Sequence, residues 1–194
     1  MSSNPADCGY PSLMSLKAPK RIETSRLVLR QPTSADAAAV FDRYAGDPVV
    51  TQYVGWPRHE SVEDTRVFLA FSDDEWQMWP AGPFLIESRV DGRLLGGTGL
   101  AFESPTEAAT GYVLAQDAWN AGYATEALAA VTAIAARLSL KEIYALCHPD
   151  NPASVRVLKK CGFTLEARLP RHTVFPNMGI SQPQDCLRFR RALG

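Results

Sequence analysis

The residues best arranged for chemistry lie in one stretch. Gly111-Tyr112-Val113-Leu114 has the pattern of a strand. Residues 119–127, Trp-Asn-Ala-Gly-Tyr-Ala-Thr-Glu-Ala, then carry the chain through a short turn into the start of a long helix. The first turn of a helix leaves backbone N–H groups unpaired and carries partial positive charge, so it suits an anion. Ala121, Gly122, Ala124 and Thr125 are small enough to let a bulky phosphate approach the backbone. Spacing alone fits equally a plain strand-to-helix turn with glycine at a strained position. Gly96-Gly97-Thr98-Gly99 is not followed by a helix, so close backbone packing or a bulge is expected there. Cys147-His148 offers a ligand or a nucleophile, but it closes the apolar run 143–146 and reads as a buried structural cysteine. Asn151-Pro152 reads as a helix N-cap with proline at the first helical position.

The elements that must hold these residues follow from periodicity. Leu27 and Leu29 alternate in a strand over 26–30, which Gln31-Pro32 breaks. Thr33 and Asp36 form a capping-box pattern ahead of Ala37, Val40, Phe41 and Tyr44 at helical spacing, and Gly46-Asp47-Pro48 ends that helix. Ser61 and Asp64 open a second helix over 61–76. Strands over 84–90 and 94–102 meet at the hairpin signal Asp91-Gly92, and a third over 110–115 follows a loop. Ala124, Ala127, Leu128, Val131, Ile134, Ala135 and Leu138 mark the buried face of the longest helix. A strand over 143–147, a helix over 151–161 stopped by Gly162, and strands over 163–167 and 186–191 complete the chain, with 170–184 as a loop. This order predicts an α/β chain, a mixed sheet with helices on both faces.

Length suits one domain over 21–194 behind a flexible leader, 1–20. Twenty Lys and Arg against 21 Asp and Glu give a net charge of -1, with no global pull toward nucleic acid or anionic membrane. The four cysteines, Cys8, Cys147, Cys161 and Cys186, form no C-x-x-C pair, so neither zinc nor a disulfide framework is indicated. No signal peptide and no membrane-length apolar run is evident. A soluble, cytoplasmic protein, monomer or homodimer, is expected.

Three blocks carry a resemblance. Residues 119–127 resemble the acetyl-CoA motif of the GNAT superfamily of N-acetyltransferases, Q/R-x-x-G-x-G/A, with Gly122 and Ala124 in its last two specified places. The run Gly-Tyr-Ala-Thr-Glu-Ala is typical of its RimJ/RimL-like branch, which includes ribosomal-protein N-terminal acetyltransferases. Asn151 to Phe163 is similar to that branch's N-x-x-S-x-x-x-L-x-K-x-G-F, and Glu23 to Arg30 to its E-T-x-R-L-x-L-R opening. The blocks are in order and cover roughly residues 21–191. Trp119 stands in the Gln/Arg place and Asn120 where the branch often has glycine.

The resemblance implies the GNAT fold, with a central, mostly antiparallel sheet, and acetyl-CoA as cofactor. N–H groups of Asn120, Ala121, Gly122, Tyr123, Ala124 and Thr125, with Trp119 beside them, would bind the pyrophosphate. Val113 and Leu114 would pair with the pantetheine, and the Leu114 N–H would steady the oxyanion as an amine attacks the thioester directly. The Asn151 amide would touch the cofactor. Many relatives place a tyrosine where Leu158 stands, so Ser154 is the candidate proton donor to the sulfur. The branch's usual acid before the Gly-Tyr strand is replaced by Ala109 and Thr110. Glu103, Glu107, Asp185 and His172 are left as candidate bases, each also readable as a solvated loop residue. Trp56, Trp76, Trp79 and Phe175 offer aromatic surface for an amine acceptor, a peptide N-terminus or a small molecule. Asp73-Asp74-Glu75 would attract a cation or merely face solvent. The alternatives are a non-catalytic acyl-CoA-binding or sensing protein, and a dinucleotide-binding domain, for which G-x-G-x-x-G is missing.

Overall fold

Leu27, Leu29, Phe84 and Ile86 all point to one side because side chains alternate along a strand, and that alternation builds the sheet. The computed structural model describes residues 16–194. Its strands are β1 (Arg21–Glu23), β2 (Leu27–Arg30), β3 (Pro83–Ser88), β4 (Leu94–Ser104), β5 (Glu107–Leu114), β6 (Glu142–Cys147), β7 (Thr164–Thr173) and β8 (Gln184–Ala192). The helices are α1 (Ala37–Val40), α2 (Val62–Met78), α3 (Tyr123–Arg137) and α4 (Pro152–Lys160). The strands form one sheet in the order β1-β2-β3-β4-β5-β6-β8-β7. Only β5 and β6 run parallel; every other neighbour is antiparallel.

Strand parity divides the core. One face buries Leu27, Leu29, Phe84, Ile86, Leu95 and Leu100 beneath Ala127, Leu128, Val131 and Ala135 of α3. The opposite face sets Leu85 and Leu94 against Val40, Tyr44 and Ala45 around α1. Helices therefore cover both faces, as the element order predicts. The α3 stripe is the predicted one, and Ser139 at φ 62° turns the chain back where glycine is more usual. Among the described residues no helix is long and apolar enough to cross a membrane.

Several boundaries differ from expectation, each for a tertiary reason. β5 starts at Glu107, so β4 and β5 form a hairpin through Pro105-Thr106; pairing on both sides recruits Ala108 and Ala109, which have little strand preference of their own. β7 continues past Pro170 to Thr173 because a register shift after Leu169, with Arg171 at φ 47°, absorbs the proline. β1 is an edge strand too short to show a period. The first helix is only α1, preceded by a 3-10 turn (Ser34–Asp36) and followed by a π turn (Phe41–Ala45). Of the expected leader, residues 1–15 lie outside the described residues, as does Cys8. Ala18 is buried, with its N–H on the Pro80 carbonyl at 2.8 Å, so 16–20 lie against the domain.

Candidate active site

The site begins where two strands part. β5 and β6 pair only through Glu107–Ala109 against Glu142–Tyr144, and beyond them the strands diverge. On its other edge β5 stays paired with β4 as far as Leu114. Ala115 donates its N–H to the Leu95 carbonyl at 2.8 Å. Antiparallel pairs alternate, so Val113 and Gly111 also turn their polar backbone groups toward β4, whereas Leu114 and Tyr112 turn theirs into the opening. The side-chain bonds agree: Thr98 Oγ1 donates to the Gly111 carbonyl at 2.8 Å, and Trp119 Nε1 to the Leu114 carbonyl at 2.7 Å.

The opening ends at the start of α3. Gly122 is its N-cap residue at φ 80°, and Asn120 also has a positive φ, 59°. These two residues fold the turn so that it lies against the amino-terminal strands. Glu126, in the first turn of α3, accepts from Thr24 Oγ1 (2.6 Å), the Arg26 N–H (2.8 Å), Arg26 Nε (2.7 Å) and Ser25 Oγ (3.1 Å). Arg26 Nη1 reaches on to the Ala121 carbonyl at 2.8 Å, and its guanidinium lies 4.7 Å from the Tyr123 ring centre. Two sequence blocks a hundred residues apart are thus one structural unit.

Partial burial of Glu126 raises its carboxyl pKa, but the bonds from Thr24, Arg26 and Ser25 outweigh this and hold it below the ordinary value. A depressed folded pKa adds stability that is complete above the unfolded value of 4.5 and is lost as pH falls through the folded one. Glu126→Gln should therefore be less stable than wild type in urea at pH 7, with the gap closing in acid. A gap that is the same at pH 7 and pH 3 would show that the ionised carboxylate contributes nothing.

α4 closes the far side. Asn151 Oδ1 accepts the Ser154 N–H at 3.0 Å and Pro152 opens the helix, the predicted capping arrangement. The Ser154 hydroxyl lies 2.9 Å from the Tyr112 hydroxyl, which also donates to the Ser154 carbonyl at 3.1 Å. This hydroxyl pair spans from β5 to α4 across the widening gap. Burial pushes the Tyr112 phenol well above its ordinary pKa, so it stays protonated. Cys147 is buried beside it with a raised thiol pKa, again mainly from burial, as a structural cysteine should be.

On the α1–α2 face of the sheet, β5 borders a cavity of about 770 Å³. Gly97, Gly99, Ala101, Ala109 and Gly111 line its floor, which leaves the strands nearly bare. The role expected for the glycines of β4, close backbone approach, is thereby specified: a side chain on Gly99 would strike Pro83 Cα at 2.8 Å, and one on Gly97 would press on the Tyr44 hydroxyl at 3.1 Å. Tyr44, Trp56, His59, Phe68 and Phe71 contribute to the walls. His59 bonds Thr65 Oγ1 through Nδ1 at 2.8 Å, and burial lowers its pKa. Asn177, in the β7–β8 loop, clamps the wall segment: its Nδ2 donates to the Thr51 and Trp56 carbonyls, and its Oδ1 accepts the Arg58 N–H.

Comparison with known proteins identifies this arrangement. The acetyltransferase (GNAT) domain family matches residues 26–164. The chain belongs to the GNAT acetyltransferase family. An N-acetyltransferase of Bacillus subtilis (strain 168), YoaA, described as uncharacterized, is 32% identical over 154 residues, 78% of this chain and 86% of the relative. The ribosomal-protein α-N-acetyltransferase RimL, solved with coenzyme A, superposes with a TM-score of 0.79 at 22% identity, covering 89% of this chain and 98% of RimL. A spermidine N-acetyltransferase from Vibrio cholerae, solved with coenzyme A and spermine, gives 0.74 at 18% identity, over 88% and 97% of the two chains. As a GNAT acetyltransferase the chain transfers an acetyl group to an amine.

Within this GNAT frame the remaining candidates fall into two groups. Leu114, Trp119, the turn from Asn120 through Thr125, Asn151 and Ser154 all border the opening or the α3 start. Val113, expected to pair with the pantetheine, instead turns its backbone groups to β4, because alternate residues of an antiparallel strand face opposite edges, and it borders the cavity. Glu103 and Glu107 sit at the β4–β5 hairpin end, where Tyr144 donates to Glu103 and Arg188 pairs with Glu107 at 3.0 Å. Six residues along a strand separate Glu107 from Val113, about 20 Å. Asp185 is bound by the Arg171 N–H and by Arg168, and His172 is exposed on β7. Of the four aromatic candidates, Trp56 lines the cavity. Trp76 instead packs on Phe84, Trp79 stacks on Phe102, and Phe175 meets buried His148. The reading from sequence missed Tyr112 as a partner of Ser154, and His59 and Phe68 as wall residues. The Gly-Tyr pair was a visible signal for the first; nothing local marked the others.

Proposed function

We propose that this domain, residues 21–194, moves an acetyl group from acetyl-CoA to a primary amine by direct attack. The observation that carries the reading is the open edge of β5 beside the α3 start. The backbone groups of Tyr112 and the N–H of Leu114, which face the opening, suit the amides of a pantetheine laid along the strand, as an added strand would be; the Leu114 carbonyl is held by Trp119. The N–H groups of residues 120–125 suit a pyrophosphate, and Gly122 itself adds no side chain in front of them. When bound, acetyl-CoA supplies an activated acyl group as a thioester. The amine nitrogen bonds to the acyl carbon, the carbon–sulfur bond breaks with its electron pair on sulfur, and the amine gives up a proton to solvent. Leu114 would steady the developing oxyanion through its N–H, and Ser154, hydrogen-bonded to Tyr112, would pass a proton to the sulfur and regain one from solvent, which has taken up the amine's proton. Asn151 fixes the turn that carries Ser154. Glu103 and Glu107 would keep the hairpin end in register and take no part in proton transfer.

Thermal-shift titration with acetyl-CoA, then thiol release with a panel of amines, tests this. A ligand at about 100 times its Kd stabilises the fold by about 2.7 kcal/mol, so a clear rise in Tm is expected. No shift at millimolar acetyl-CoA would end the proposal.

A further inference from the structure

The chemistry of the cavity narrows the acceptor. A volume of about 770 Å³ is in the range that encloses a drug-sized molecule. Rings of Trp56, Phe68 and Phe71 face a floor containing Ala109 and Gly111. Val67 and Phe71, one turn apart on α2, also line the cavity and remain 68% and 54% exposed, which leaves apolar surface at its mouth.

Among the described residues lining it, Asp64 is the only carboxylate, and it is occupied in capping α2. Its Oδ2 accepts the Glu60 N–H at 2.9 Å and the Ser61 N–H at 3.0 Å. Arg58, which donates to the Gly46 carbonyl at 3.3 Å, adds positive charge to the wall. The acidic run Asp73-Asp74-Glu75 lies outside the lining. A single ammonium can rest on a ring face, but a chain of them would have the one Asp64 carboxylate to share. The nucleophile of acetyl transfer is the neutral amine, and an apolar wall favours that form by disfavouring the ammonium.

We infer that the acceptor is a small primary amine carried on an aromatic or bulky apolar body, held between the α2 rings and the bare floor of β4 and β5. The inference rests on the acetyl-transfer reading. The reaction balances as above: the amine loses one proton, and the product is an amide and a free thiol.

The test is thiol release from acetyl-CoA by the full chain with phenethylamine and tryptamine, with spermidine, and with a hydrophilic peptide N-terminus. The aromatic amines should show kcat/KM about tenfold or more above the other two. A Cβ on Gly111 meets no atom within 4 Å, so the side chain of Gly111→Leu starts in open space and takes up cavity volume. It should keep the acetyl-CoA thermal shift and lose about tenfold in kcat/KM for the aromatic amines. Phe71→Glu, at a half-exposed helix position, should lower the aromatic-to-spermidine ratio by a similar factor. Preference for spermidine or the peptide overturns the inference and leaves acetyl transfer standing, as does unchanged aromatic-amine turnover in both variants. A thermal shift with no turnover of aromatic amines removes the inference alone. No shift and no thiol release with any amine removes both readings.

Discussion

Gly122→Val should weaken acetyl-CoA binding by about 10- to 100-fold while leaving the domain folded. Gly122 caps α3 at φ 80°, a conformation that a β-branched residue adopts only under strain. The strain is of order 1–3 kcal/mol, and relieving it means rotating the turn. Rotation would reorient the N–H groups of residues 120–125 proposed to hold the pyrophosphate, so the lost energy appears as lost affinity. The buried stripe of α3 is untouched, because Ala127, Leu128 and Val131 lie one turn or more beyond the change. Gly122→Ala should fall between, since a single methyl costs about 1–2 kcal/mol in this region. Calorimetric titration with acetyl-CoA, alongside circular dichroism, measures the series. Equal affinity in all three proteins would mean that the turn does not hold the pyrophosphate.

Ser154→Ala should lower kcat by about 10²-fold with little change in the KM for acetyl-CoA. The hydroxyl pair bridges β5 and α4 where the strands have parted, and burial keeps the Tyr112 phenol protonated; in the proposed reaction the pair would relay a proton to the departing sulfur. Tyr112→Phe leaves Ser154 in place but removes its partner, and should show a smaller loss. Because Ser154 also takes part in the α4 cap through its N–H, not its hydroxyl, the substitution leaves Asn151 engaged. The split between kcat and KM is the decisive reading. A native-like Ser154→Ala protein with undiminished kcat would assign the pair to packing alone.

Much of this protein is written locally in its chain. Period 3.6 through Ala127, Leu128, Val131 and Ala135 announces α3, and Asn151-Pro152 and Gly162 bracket α4, because caps and apolar stripes are decided within a few residues. The three blocks likewise name the family, since glycine at 122 and serine at 154 stand at fixed distances in one stretch of chain. The uses of those blocks were less legible. Glu126 binding Thr24, Ser25 and Arg26 joins segments a hundred residues apart, and no local pattern reports that.

What only the tertiary structure decided is which residues share a space. Gly97, Gly99, Ala109 and Gly111 form one floor because β4 and β5 pair in a register that sets them on the same face. The same pairing directs the Leu114 and Tyr112 backbone away from β4, into the gap that opens when β6 turns aside. It also carries Glu103 and Glu107 to the far hairpin end, although in sequence Glu107 stands nearer the Gly-Tyr pair than any other carboxylate does. Residue types and spacing determined the family, the helices and the glycine turn that opens α3. Strand register and helix docking, which depend on contacts between distant segments, determined the opening, the hydroxyl pair and the apolar cavity.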